Sequence, residues 1–153
     1  RRQRQMCIRD SPYTMPISDI YGLRQAFDNI KNDPYMLERH AKIGNAVRAA
    51  VKEAGLELYQ ETGFSNTVTV FNVPEGTTDT AILTAMKEKC NIMLAGSFGA
   101  FAGKVIRIGH MGENAYPEKV GAVMAGLDLV FKDLGITLKC SLKEAYDRKM
   151  SEQ

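Results

Sequence analysis

The run Gly103-Lys-Val-Ile-Arg107-Ile-Gly-His-Met-Gly112 reads as a short apolar strand that opens and closes on glycines. Strand side chains alternate between two faces, so Val105 and Arg107 share one face while Ile106 and Ile108 share the other. The second face is aliphatic and suits a core. The first carries a guanidinium, which is costly to bury unless a partner meets it. Arg presents a planar fork of donors that fits a carboxylate with two parallel bonds. Gly109 and Gly112 let backbone or ligand approach closely. The residues alone leave two uses open. One is a carboxylate clamp at a strand end; the other is a strand arginine whose stem packs while its head sits in water.

Outward from this run, residues 67–73 read as a second strand rich in β-branched side chains. Residues 56–59 and 92–94 read as two shorter ones. Ser18 or Asp19 is placed to cap a helix through about Asn32, with Ile20, Leu23, Phe27 and Ile30 at helical spacing. Asn32-Asp-Pro34 breaks it. A second helix runs to about Ala54, with Leu37, Ala41, Gly44, Val47 and Val51 as its stripe, and Gly55 as its left-handed stop. Thr77 or Thr78 caps a third, which turns Ile82, Leu83, Met86 and Cys90 inward. Pro117 starts a fourth, which directs Val120, Val123, Leu127, Val130, Phe131 and Leu134 to the core before Gly135 ends it. Residues 143–150 read as a short polar helix or a frayed tail. Met86, Met93 and Met124 are expected as core filler. Consecutive strands without an intervening helix favour antiparallel pairing. The expected fold is α+β, a small antiparallel sheet covered by helices mainly on one face.

The length of 153 residues and the 44% apolar content allow one domain, or a domain with an appendage. The formal charge of +2 is concentrated at one end. Residues 1–11 hold four Arg and one Asp, and the remainder carries 16 basic and 17 acidic residues. A nucleic-acid footprint needs a basic face in the folded part, so that class is disfavoured. No run is long enough to span a bilayer as a helix. Cys7, Cys90 and Cys140 are few and far apart, which reads as reduced thiols in a cytoplasmic protein. Residues 1–11 have no helical or strand period and no cap, and they resemble translated sequencing adapter. They are expected to be a non-native tail, with the natural protein extending upstream.

The glycine-rich loop from Gly96 to Gly103 precedes a strand, not a helix, so it is no helix-terminal phosphate loop. It shapes a lip beside Arg107 or simply connects. His110 is open to a general-base role or to packing. Thr14 offers a hydroxyl in an extended segment, suited to an anion or to local backbone. There is no nucleophile–base pair, no paired carboxylates at helical spacing and no metal set.

Three segments together carry a resemblance. Ser11-Pro-Tyr-Thr-Met-Pro-Ile17, followed by Ile20-Tyr-Gly-Leu-Arg24, resembles the segment of class V (fold type I) pyridoxal-phosphate aminotransferases that reaches into the neighbouring subunit. Asn66-Thr-Val-Thr-Val70 resembles the first strand of their small C-terminal domain. Ile92-Met-Leu-Ala-Gly-Ser-Phe-Gly99 with the Arg107 run is similar to the substrate-side motif of the alanine–glyoxylate and serine–pyruvate branch. The likeness covers residues 12–138. It implies that residues 12–35 end the large cofactor domain, that 36–138 are the small domain, and that 139–153 are a polar tail. It implies pyridoxal 5′-phosphate as cofactor, a homodimer, and small amino-acid and 2-oxo-acid substrates. Arg107 would hold the substrate carboxylate, and Thr14 would contact the cofactor phosphate of the partner protomer. The family's Schiff-base lysine, ring-nitrogen carboxylate and stacking aromatic have no counterpart in these 153 residues. The isolated chain is therefore expected to be inactive. The competing reading is a stand-alone α+β module that senses an amino acid without chemistry.

Overall fold

The computed structural model describes residues 15–152. Its contacts divide the chain into two compact units, residues 1–36 and 37–153.

In the first unit, α1 spans Ile17–Lys31 and starts from Pro16, which makes no side-chain cap. Ser18 and the acidic Asp19 therefore lie inside the first turn and do not cap it; there Asp19 complements the positive end of the helix dipole. Ile20, Leu23, Phe27 and Ile30 keep their helical spacing, yet no residue of α1 is buried.

The second unit holds the core. Its first helix, α2 (Met36–Glu53), buries Ile43, Ala46, Val47, Ala50 and Val51. The expected stripe is displaced at its start, because Leu37 is 76% exposed. The core cluster begins only at Ile43, and in the first turn of α2 it is Arg39, not Leu37, that turns inward, donating to the Ala115 carbonyl at 2.8 Å. Gly55, at φ +85°, closes the helix in the conformation only glycine adopts cheaply, and Leu56 N–H bonds back to the Val51 carbonyl.

Two strands, β1 (Val68–Asn72) and β2 (Val105–Gly109), pair antiparallel with Val70 opposite Arg107. The antiparallel sense was expected from consecutive strands. Here the partners are separated in sequence by helix α3 (Asp79–Cys90) and still run antiparallel. The shorter strand expected at 56–59 shrinks to a single bridge, Leu58 to Phe71, and residues 92–94 form no strand, the bridge from Ala95 to Arg107 falling just beyond them. Each segment meets its neighbour at one residue pair only, too few for a ladder, but each extends the sheet by one edge.

Thr69, Phe71, Ile106 and Ile108 point to the buried face. Phe71 meets Phe131 edge-on at 6.4 Å between ring centroids. Phe131 lies on α4 (Pro117–Asp133), which carries Pro at the start, where a missing N–H costs nothing. Thr78 caps α3 by accepting from Ala81 N–H at 3.2 Å. Met86 and Met124 fill the core as expected, whereas Met93 does not: it is 81% exposed, because it lies in the loop that leads to the sheet edge and not on a helix face. The last segment is a capped helix, α5 (Leu142–Ser151), whose Leu142, Ala145 and Tyr146 are buried.

Candidate functional site

The face of the sheet opposite the core carries Val68, Val70, Arg107 and Gly109. An open cavity of about 850 Å³ lies against it. Its walls are mostly apolar, from Val68, Leu94, Met111 and Val123 among others. Arg107 is a polar group set among them, and it is neither buried nor fully exposed.

Three contacts fix Arg107. Its N–H donates to the Ala95 carbonyl at 2.7 Å, and Ala95 N–H returns a bond at 3.4 Å. Its Nε donates to the Gly96 carbonyl at 2.7 Å. Among the described residues no hydrogen bond or ion pair reaches Nη1 or Nη2. The half-open setting avoids the cost of a dry, unpaired charge, while the apolar walls keep the local dielectric below that of water. The fork end is thus available to a planar anion.

His110 follows β2 on the opposite parity and is fully buried. Its Nδ1 lies 3.2 Å from the Asn66 carbonyl, which can only accept, so Nδ1 carries the proton. Nε2 therefore accepts from the Thr69 hydroxyl at 2.9 Å. Burial, helped by the charge on nearby Arg48 and by the neighbouring His40, pushes the His110 pKa down to about 4 against two backbone hydrogen bonds that raise it. A general-base role beside Arg107 is excluded: both ring nitrogens are engaged, and the ring lies on the core side of the sheet. His110 is a structural brace.

The residues that brace it were not singled out from the sequence. His40 Nε2 accepts from Gly112 N–H at 3.2 Å. Arg48, also buried, donates to the Ser65 carbonyl at 2.8 Å and to Asn45 Oδ1 at 2.6 Å, and lies 5.0 Å from the Phe64 ring centroid. Burial lowers its pKa. His40, Gly44 and Arg48 stand four apart on α2, and a methyl on Gly44 would meet Arg48 Nη1 at 3.1 Å and His110 Cε1 at 3.4 Å. The available signal was a polar residue at i and at i+8, with glycine between them at i+4, on an otherwise apolar face.

Thr14 and Ser11 lie outside the described residues. Lys104 is exposed and precedes β2. Among the described residues no group of three or more His, Cys, Asp or Glu is placed to hold a metal, and no helix is long and apolar enough to cross a membrane. Cys90 and Cys140 are unpaired thiols.

No family model matches the chain. Curated relatives do. The chain is 37% identical over 128 residues to a serine–glyoxylate aminotransferase of Arabidopsis thaliana, covering 81% of this chain and 32% of that protein. It is 35% identical over 134 residues to an uncharacterised aminotransferase of Methanocaldococcus jannaschii, covering 86% and 34%. Among solved structures, pyridoxamine–pyruvate aminotransferase from Mesorhizobium loti superposes with a TM-score of 0.85 at 28% identity, covering 94% of this chain and 38% of that one. The chain spans about a third of the length of the curated relatives it matches. Sequence and fold agree on the same group of proteins: the relatives are class V aminotransferases, and the match over a third of their length is consistent with their C-terminal part.

Proposed function

We propose that this chain supplies the substrate-carboxylate side of a pyridoxal 5′-phosphate-dependent transaminase. The parent would move an amino group between a small amino acid, alanine or serine, and a 2-oxo acid, glyoxylate or pyruvate. The observation that carries the reading is Arg107, which lines an apolar cavity, with its backbone and Nε held and its fork end without a hydrogen-bond partner among the described residues. Every substrate of such a reaction carries a carboxylate next to the reacting carbon. One bidentate anchor therefore serves both half-reactions and fixes that carbon in place. The names of the relatives, which include serine–glyoxylate and pyridoxamine–pyruvate enzymes, support this substrate class.

The described residues fit the substrate side and not the cofactor's own cradle. Lys119 is the one lysine among the cavity's described lining residues, and its Nζ is engaged by the Glu113 carbonyl and the Tyr116 ring, 5.5 Å from its centroid. No carboxylate lines the cavity among those residues. The cofactor would supply the electron sink for transamination. What this chain does is bind and orient: Arg107 holds the carboxylate, and Val68, Met111 and Val123 keep water from the rest of the ligand. In this reading Thr14 contacts the cofactor phosphate of the partner protomer in a homodimer. Residues 12–35 end the large domain, 36–138 form the small one, and 139–153 follow it. The 153-residue chain alone would not transaminate. The two unpaired cysteines fit a reducing cytoplasm.

The test is the contiguous genomic DNA upstream of residue 12. An open frame encoding a further large domain with a strand-end lysine is expected. Expressed whole, that protein should transfer the amino group of alanine or serine to glyoxylate or pyruvate. A start codon and ribosome site near residue 12 would instead favour the stand-alone binding module.

A further inference from the structure

Arg107 is held twice by one dipeptide. Ala95 bridges its backbone, and the carbonyl of the next residue, Gly96, takes its Nε at 2.7 Å. A guanidinium is flat, so fixing Nε–H fixes the roll of the whole fork. The side-on edge, which needs Nε, is spent. Only the Nη1/Nη2 end remains for a ligand.

Gly96 has its own constraint. A methyl there would meet Asp79 Oδ2 at 3.2 Å and Leu83 Cδ1 at 3.4 Å. Its φ lies outside the left-handed region, so the requirement is for space and not for backbone freedom. Asp79 cannot swing away freely, because its Oδ1 accepts from Thr80 N–H at 2.6 Å and from the Thr80 hydroxyl at 3.1 Å. Among the described residues Asp79 makes no ion pair with Arg107. The first turn of α3 thus backs the very peptide that aims the guanidinium.

We propose that Gly96 is a positioning residue for carboxylate recognition: its carbonyl sets the roll of Arg107 so that the ligand is received end-on by Nη1 and Nη2, and its lack of a side chain lets α3 hold that carbonyl in place. The inference rests on the carboxylate reading of Arg107 and adds the direction of approach and the residue that enforces it.

The experiment uses the 153-residue chain with ¹⁵N-labelled arginine side chains, observed by NMR with pyruvate as the probe. In the native chain the Arg107 Nε proton is expected to exchange about tenfold more slowly than that of exposed Arg24, the effect of one retained hydrogen bond. Pyruvate should move the Arg107 Nη signals and leave Nε in place. In Gly96→Ala the Nε protection should fall and pyruvate should bind about fivefold more weakly, with the circular dichroism spectrum unchanged. Removing the obstructing carboxylate in Gly96→Ala/Asp79→Ala should restore both, which general loss of structure would not do. Should Gly96→Ala fail to fold, the double variant carries the test: a protected Nε proton supports the spatial account, and an exposed one overturns it. A Gly96→Ala chain with Nε still protected and pyruvate bound as before sinks the role of Gly96 alone. A native chain in which pyruvate moves no Arg107 signal sinks the carboxylate grip and the inference with it.

Discussion

At the scale of single residues, two groups on β2 and just beyond it have opposite tasks. Arg107 lines the open cavity and is free to meet a ligand; His110 is held neutral because its ring is sealed in the core. Replacing Arg107 by Ala in the longer transaminase proposed above removes two charge-assisted bonds. The expected loss in kcat/KM is on the order of 100-fold, carried mainly by KM for the amino acid, and steady-state kinetics checks it. His110 makes stability depend on pH in a defined window. Its folded pKa, about 4, lies below the ordinary value of 6.5, so between these limits the unfolded chain binds the extra proton. The stabilisation is complete above about pH 6.5 and is lost as the pH falls through about 4. A loss of about 3 kcal/mol across that window is expected in urea titrations, and His110→Gln should flatten it. The side chains around the neutral ring that feel this charge are Arg48, His40 and the hydroxyl of Thr69.

At the scale of elements, the helix starts show which local signals act and which do not. Thr78 caps α3 as its sequence suggests, whereas α1 begins at Pro16 without a side-chain cap. The start of α5 is tied from a distance. Asp128, on α4, accepts from Leu142 N–H at 2.7 Å, from Lys143 N–H at 3.0 Å and from the Ser141 hydroxyl at 2.7 Å. Ser141 in turn accepts from Glu144 N–H at 3.2 Å. One carboxylate thus satisfies two orphan amides of a helix that packs Leu142 and Tyr146 into the core. Asp128→Ala should cost about 2 kcal/mol in global stability and speed amide exchange across 142–151 first. Equal exchange in the two proteins would mean that burial alone holds α5. The polarity of this segment made a frayed tail an open reading. Its partner lies 13 residues upstream on another helix, and no local pattern encodes that.

At the scale of the molecule, every residue of the core cluster lies between Ile43 and Tyr146. No described residue of the first unit belongs to it, and an isolated helix of the length of α1 is marginal in water. A chain trimmed to residues 34–153 is therefore expected to unfold at the same urea midpoint as the whole. A midpoint lowered by more than experimental scatter would assign the removed residues a share in the stability of the second unit. The sequence by itself determined helices α1 to α4, the two main strands and the faces of β2, because periodicity and glycine stops are local consequences of backbone geometry. It also carried the family likeness, through the glycine-flanked Arg107 run. Only the tertiary structure decided that the outer segments make only single bridges, that Met93 lies outside the core, and that His110 is a buried brace. It alone shows that Gly96 grips Arg107 and that His40 and Arg48 hold the loops beside it. Those outcomes depend on contacts between residues far apart in the chain, where steric fit and hydrogen-bond partners exist only once the core has closed.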